Sequence, residues 1–190
     1  EAPKSFKDLA DPKWKNKLAM ANPLLSGSIL TVAADLSQRY GWEYFTALKA
    51  NGLKIEGGNT AVQNKLITGE YHVGIIGEEN ILKMAAKGEP LKVAYATDGA
   101  VILPSPIAIF AGTQNPEAAK AVTDWWLSKE GQQAIVTKGW MHSVRDDVAP
   151  PKGAPDKAAI TKNSPMLDWA KFAKEAEKIK ETFRKLVMEK

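Results

Sequence analysis

The 190-residue chain contains no cysteine. That excludes disulfides, iron–sulfur clusters and cysteine-ligated zinc, and it leaves the redox compartment open. His72 and His142 are the only histidines, and no further ligands are spaced to complete a zinc site, so no metal is assigned. Arginine is scarce too: Arg39, Arg145 and Arg184 are the whole set, and lysine carries the net charge of +4. Nucleic-acid surfaces favour arginine and a concentrated basic stripe. These lysines are dispersed, apart from the tail, and read as a solvated surface with no nucleic-acid partner. No apolar run approaches the ~20 residues of a membrane helix. There is no G-x-S-x-G elbow, since "LLSGS" lacks the first glycine, and no other catalytic set emerges. The sequence therefore reads as a non-enzyme without a cofactor. An opening at Glu1, with neither methionine nor signal peptide, is what a mature or trimmed product would show.

What the sequence does contain is alternation. Lys17 to Ala21 reads as a strand stopped by Asn22-Pro23. Ser26-Gly27-Ser28 is an N-cap cluster for a helix whose Ile29, Val32, Ala33 and Leu36 recur at helical spacing, ended by Gly41. "WEYFTALKANG" is a second helix, closed by Gly52. "LKIEGG" is a short strand. Asn59 or Thr60 then caps a helix with Val62, Leu66 and Ile67 on one face, closed by Gly69. "YHVGIIG", Tyr71 to Gly77, is continuous and β-branched, as expected of a strand buried on both faces. "EENILKMAAKG" is a helix and "LKVAYA" a further strand. Residues 1–98 thus run β-α-α-β-α-β-α-β, which predicts a complete α/β lobe with a mostly parallel sheet and helices on both faces.

Beyond Asp98-Gly99 the texture changes. "AVILPSPIAIFAG" is strand-like but carries Pro104 and Pro106, which suit edges and crossings. It reads as a connection into a second lobe. Asn115 and Pro116 open a helix, in which Val122, Trp125 and Trp126 predict at least one core indole. "SKEGQQAIVTKG" makes another helix. The last, "MLDWAKFAKEAEKIKETFRKLVMEK", is amphipathic, with Leu167, Ala170, Ala173, Ile179 and Phe183 as its stripe and its charged face in solvent. One strand and three helices cannot make a sheet alone, so residues 99–190 read as an incomplete lobe.

"SFKDLADPKWKNKLAMANP", "YGWEYFTALKANGLKIEGGNTAVQNKLITGEYHVGI" and "NPEAAKAVTDWWLSKEGQQAI", in that order, resemble the bacterial extracellular solute-binding proteins of ABC importers. The likeness is to the branch that binds ferric iron, phosphonates or sugar phosphates. It implies a type II periplasmic-binding-protein-like fold, two lobes that close about a hinge on a small solute, and a membrane permease as partner. It also implies a periplasmic or extracellular location, lipid-anchored or soluble. Family members are longer. The resemblance therefore implies that 1–98 is the second lobe, that 99–190 is the return segment and C-terminal helices of an incomplete first lobe, and that this fragment self-associates through its partial core. The alternative is the effector-binding domain of a transcription regulator, which shares the architecture.

The candidate ligand-binding residues lie mostly at strand-to-helix junctions. Ser26, Gly27 and Ser28 offer amides, two hydroxyls and the positive end of a helix dipole, which suit a phosphate or carboxylate; an ordinary N-cap would use the same residues. Asn59 and Thr60, after Gly57-Gly58, repeat the arrangement. After the "YHVGIIG" strand, Glu79 suits dipole capping, while Glu78 or Asn80 suits a cation, an amine or a hydroxyl. Ser105, between its two prolines, would border the cleft at the hinge. Ferric-binding relatives place adjacent tyrosines near Glu78. This chain has only the separated Tyr71 and Tyr95 there, which points to an organic anion or an iron chelate over a bare ferric ion.

Overall fold

The computed structural model describes residues 2–189, which form two compact units. Unit one takes the residues up to 103 and those from 160 onward; unit two is 104–159. The sequence reading placed a boundary at 98/99. In chain order the elements are β1 (Leu18–Ala21), α1 (Gly27–Tyr40), α2 (Trp42–Ala50), β2 (Lys54–Glu56), α3 (Asn59–Ile67), β3 (Val73–Ile75) and α4 (Glu78–Ala85). They continue with α5 (Pro116–Leu127), α6 (Lys129–Ala134), α7 (Lys157–Thr161) and α8 (Trp169–Phe183).

Unit one is organised by a three-stranded parallel sheet of order β2-β1-β3. The central strand reads Leu-Ala-Met-Ala and all four residues are buried, so no polar side chain has to be accommodated on either face. Its register pairs Ala19 with Lys54 and Ala21 with Glu56 on one side, and Leu18 with Val73 and Met20 with Ile75 on the other. The connection from β1 to β2 runs one way across the sheet, and that from β2 to β3 runs back over β1. Right-handed crossovers then put α1 and α2 on one face and α3 on the other.

The packing on each face follows from a few side chains. Ile29, Ala33 and Leu36 of α1 join Phe45 and Leu48 of α2 in the core around β1. Phe183 of α8 meets Phe45 edge-on with ring centroids 5.3 Å apart. On the other face α3 lies so close to β3 that a Cβ on Gly74 would stand 2.8 Å from both Val62 Cγ1 and Leu66 Cδ1. Glycine is required there for close approach. Unit two is smaller. Its buried Gln132 donates from Nε2 to Trp126 O at 2.9 Å and accepts from Ser143 Oγ and Val144 N at 3.0 Å, tying α6 to α5 and to the loop beyond.

Several expectations are corrected. "LKVAYA" belongs to no ladder among the described residues, and neither does "AVILPSPIAIFAG". Strand-like composition is not enough, because a ladder also needs a partner strand. "YHVGIIG" pairs only over Val73–Ile75, at the sheet edge, and of those three only Ile75 is buried. Gly58, not Asn59 or Thr60, is the N-cap of α3, because its extended conformation ends the loop one residue earlier. Both Trp125 and Trp126 are 43% exposed. In α8, Ala170 and Ala173 face solvent, and the stripe is Phe172, Ala176, Ile179 and Phe183, at spacings of four, three and four.

Candidate ligand-binding site

Because the three strands are parallel, their carboxyl ends open on one edge of the sheet, and α1, α3 and α4 all begin there. Ala21 and Glu56 are paired at the end of adjacent strands, about 4.8 Å apart. The chain beyond Ala21 turns to one face and the chain beyond Glu56 to the other. Ligands of open parallel sheets sit at such a divergence.

At the first junction Ser26 caps α1. Its Oγ accepts from Ile29 N at 3.5 Å and lies 3.0 Å from Ser28 Oγ, while its carbonyl accepts from Leu30 N at 2.9 Å. The amides of Gly27 and Ser28 are in the first turn, where no intrahelical carbonyl is available. Gly27 is exposed, and a Cβ there would meet nothing within 4 Å. The second junction has the same character. Gly58 caps α3 without a side-chain bond, and a Cβ on either Gly57 or Gly58 would meet nothing within 4 Å. Asn59 and Thr60 occupy the first turn. Asn59 Oδ1 is buried with no hydrogen-bond partner among the described residues, an acceptor at a place otherwise furnished with donors. Two helix N-termini bordering open space create a positive potential suited to a small anion.

The third junction is filled by its own side chains. Glu79 folds back over Gly77, and Asn80 Nδ2 donates to Glu79 Oε1 at 2.8 Å and to Gly77 O at 3.4 Å. Glu78 Oε1 accepts from the Tyr95 hydroxyl; burial and that bond push the Tyr95 phenol far above its ordinary value. Ser26, Gly27, Ser28, Asn59, Thr60, Glu78 and Asn80 thus share one edge of unit one. Ser105 stands in unit two and is exposed.

All four tyrosines donate their hydroxyls within the protein. Tyr40 bonds Asp98 Oδ2 at 2.8 Å, Tyr44 bonds Phe6 O at 2.7 Å, Tyr71 bonds Glu56 Oε1 at 2.9 Å, and Tyr95 bonds Glu78. Burial is the first cause raising each phenol, with Tyr40 pushed up to about 12. Each is held neutral, the opposite of what a phenolate metal ligand needs. Beside the second junction, Lys65 Nζ lies 2.8 Å from Glu56 Oε1 and, with the Tyr71 hydroxyl, holds that carboxyl below the usual range.

Each unit carries an apolar groove. One of about 400 Å³ runs between Ile107–Phe110 and α5 in unit two; the other, of about 340 Å³, runs between Ala2–Lys4 and Lys92–Thr97 in unit one. Each is flanked by one of the two segments that join no ladder among the described residues.

One cluster went unread in the sequence. In unit one, Arg39 reaches three successive carbonyls, Asp98, Gly99 and Ala100. Asp98-Gly99 marks a change of texture in the sequence, but nothing local links it to Arg39.

The model of the bacterial extracellular solute-binding protein family matches residues 1–175. A candidate 2-aminoethylphosphonate-binding periplasmic protein of Salmonella typhimurium is 29% identical over 162 residues, 78% of this chain and 47% of that protein. The fold is also that of the periplasmic binding protein AfuA of Actinobacillus pleuropneumoniae, solved with fructose-6-phosphate, at a TM-score of 0.77 and 23% identity over 99% of this chain and 61% of that one. Iron-bound HitA of Pseudomonas aeruginosa gives a TM-score of 0.73 and 24% identity, covering 95% of this chain and 61% of HitA. The chain spans about half the length of the curated relatives it matches.

Proposed function

The chain belongs to the bacterial extracellular solute-binding proteins, and we propose that it forms one wall of the cleft in which an ABC importer's binding protein captures a small anionic solute outside the cytoplasm. A phosphonate or a sugar phosphate suits the site best. Its anionic group would accept from the amides of Gly27, Ser28, Asn59 and Thr60 and from the hydroxyls of Ser26 and Ser28. The buried Asn59 Oδ1 would take a donor on the ligand, such as an ammonium or hydroxyl. Glu78, already engaged by Tyr95, adds negative charge for a cationic end of the ligand, and Asn80 is held locally.

One observation carries this reading: the Ala21–Glu56 pairing, which brings two open, glycine-bordered helix starts to the same edge. A bare ferric ion held by tyrosinates is disfavoured, since every phenol is donated internally. The matched relatives named above are binding proteins, which supports capture without turnover and gives no support to a transcription regulator. In this reading the residues up to 103 and those from 160 onward make one lobe, residues 104–159 contribute to the other, Ser105 borders the cleft on the crossing segment, and closure is what a membrane permease recognises. The apolar surface left on unit two then favours self-association.

The test is a thermal-shift screen against 2-aminoethylphosphonate, sugar phosphates, ferric chelates and polyamines. A ligand at 100 times its dissociation constant adds about 2.7 kcal/mol of stability. Stabilisation by a phosphonate or sugar phosphate that is lost in Ser26→Ala and Ser28→Ala supports the assignment. Stabilisation that survives both substitutions places the site elsewhere.

A further inference from the structure

The chain leaves unit one after residue 103 and returns to it at 160. The segments at the root of these two passages, residues 97–100 and 160–164, lie side by side within unit one. Ala100 N donates to Ser164 Oγ at 2.9 Å, and Ser164 Oγ donates to Ile160 O at 2.6 Å. Asn163 Nδ2 reaches Thr97 O at 3.5 Å. Gly99, at φ +97°, has no room for a side chain, because a Cβ would run into the Asn163 carbonyl.

Both roots are fixed to the body of unit one through the last turn of α1. Arg39 Nη1 donates to Asp98 O at 3.1 Å and Gly99 O at 2.8 Å, and Nη2 donates to Ala100 O at 2.9 Å. Nη2 also lies 2.6 Å from Asp35 Oδ2, one turn earlier on the helix, and both side chains are about nine-tenths buried, at 10% and 6% exposure. The Asp98 carboxylate in turn accepts from Phe6 N at 3.1 Å, Lys7 N at 3.3 Å and Tyr40 Oη at 2.8 Å. A planar fork that meets three consecutive carbonyls fixes a backbone segment in position and direction; a lysine ammonium, one point charge, does not. Asp35 lies within ion-pair distance of Arg39, yet three of the guanidinium's bonds go to the carbonyls of the turn at 98–100, which is the arrangement that holds that segment.

We propose that Arg39, with Asp98 and Ser164, is a clasp that locks the outgoing and returning segments to each other and to α1, so that bending between the units begins only beyond Ala100 and before Ile160. Arg39 is then a positioning residue for solute capture, and touches no solute itself. In that role the inference rests on the binding-protein reading. The clasp itself is testable without any ligand.

Amide hydrogen exchange on the intact chain makes the test. The Thr97 and Ala100 amides both donate, to Lys4 O at 2.8 Å and to Ser164 Oγ, and are expected to be protected in the native protein. In Arg39→Lys they should exchange about tenfold to a hundredfold faster, together with the Ser164 amide, as expected for losing charge-assisted bonds. The β1 and β3 amides should hold their protection. The double variant Asp35→Asn/Arg39→Gln removes both buried charges and should give the same local release if the single variant folds poorly. Release of one root without the other, unchanged protection at both, or a uniform rise across unit one would each overturn the clasp. A protein that shows the local release yet binds none of the screened solutes keeps the clasp and loses the functional reading.

Discussion

Ala21 and Glu56 face each other on the last rung of a parallel ladder, so the loops that follow them start as neighbours and part to opposite faces of the sheet. Ser26-Gly27-Ser28 belongs to one loop and Gly57-Gly58-Asn59 to the other. A hollow bounded by two helix N-termini follows from that single register. The same register assigns different roles to the glycines: those in the loops border open space, and Gly74 on β3 does not.

Gly27→Val and Gly57→Val should therefore leave stability within about 0.5 kcal/mol, since a Cβ at either position meets nothing within 4 Å. The same substitutions should weaken phosphonate binding by at least about tenfold, because the added methyls occupy the approach to the first-turn amides. Denaturant midpoints and calorimetric titration separate the two effects.

Gly74→Val should do the reverse. Its Cβ would stand 2.8 Å from Val62 and Leu66, so α3 must move off β3. A loss of about 1–3 kcal/mol is expected from such overpacking, read as a lower urea midpoint at unchanged slope.

At alkaline pH the tyrosines set the stability. Tyr40 is held neutral to about 12 in the native protein by burial and by Asp98, against about 10 in an unfolded chain. A raised pKa gives stability that is complete below pH 10 and is lost as pH rises through 12. Tyrosinate absorbance should show Tyr40 ionising two units late, and Tyr40→Phe should flatten the decline of stability above pH 10.

At acid pH the sign is opposite. Lys65 and the Tyr71 hydroxyl lower the Glu56 carboxyl, so its contribution is complete above the unfolded value of about 4.3 and is lost as pH falls toward the depressed native one. Glu56→Gln should be less stable than the parent at pH 6, and the gap should close progressively below pH 4.

Phe110 is 85% exposed and Val122 59%, with Trp125 and Trp126 beside it on α5. Sedimentation should show concentration-dependent association of the parent chain, and Phe110→Asp with Trp126→Glu should shift it toward monomer. A clean monomer at high concentration would count against self-association.

Local signals were readable where both ends of an element are encoded nearby. Ser26 caps α1 and Gly41 ends it as their types suggest, and Pro116 opens α5. The shift of the α3 cap from Asn59 to Gly58 depends on one residue's backbone angles, which composition does not carry. "LKVAYA" has strand chemistry without a strand's neighbour, and pairing is a property of two segments. The α8 stripe is ambiguous in sequence because alanines at 170 and 173 fit a helical period as well as Phe172 and Ala176 do. Arg39 and Asp98 are 59 residues apart, and only tertiary folding brings them together.

The most direct measurement follows backbone amides by NMR while 2-aminoethylphosphonate or fructose-6-phosphate is titrated into the nitrogen-labelled protein. Saturable shifts should appear at Gly27, Ser28, Asn59 and Thr60 together, with one common dissociation constant. Saturable shifts confined to other residues, or no saturable shift at these four with any phosphonate or sugar phosphate, would contradict a shared anion site at this edge of the sheet.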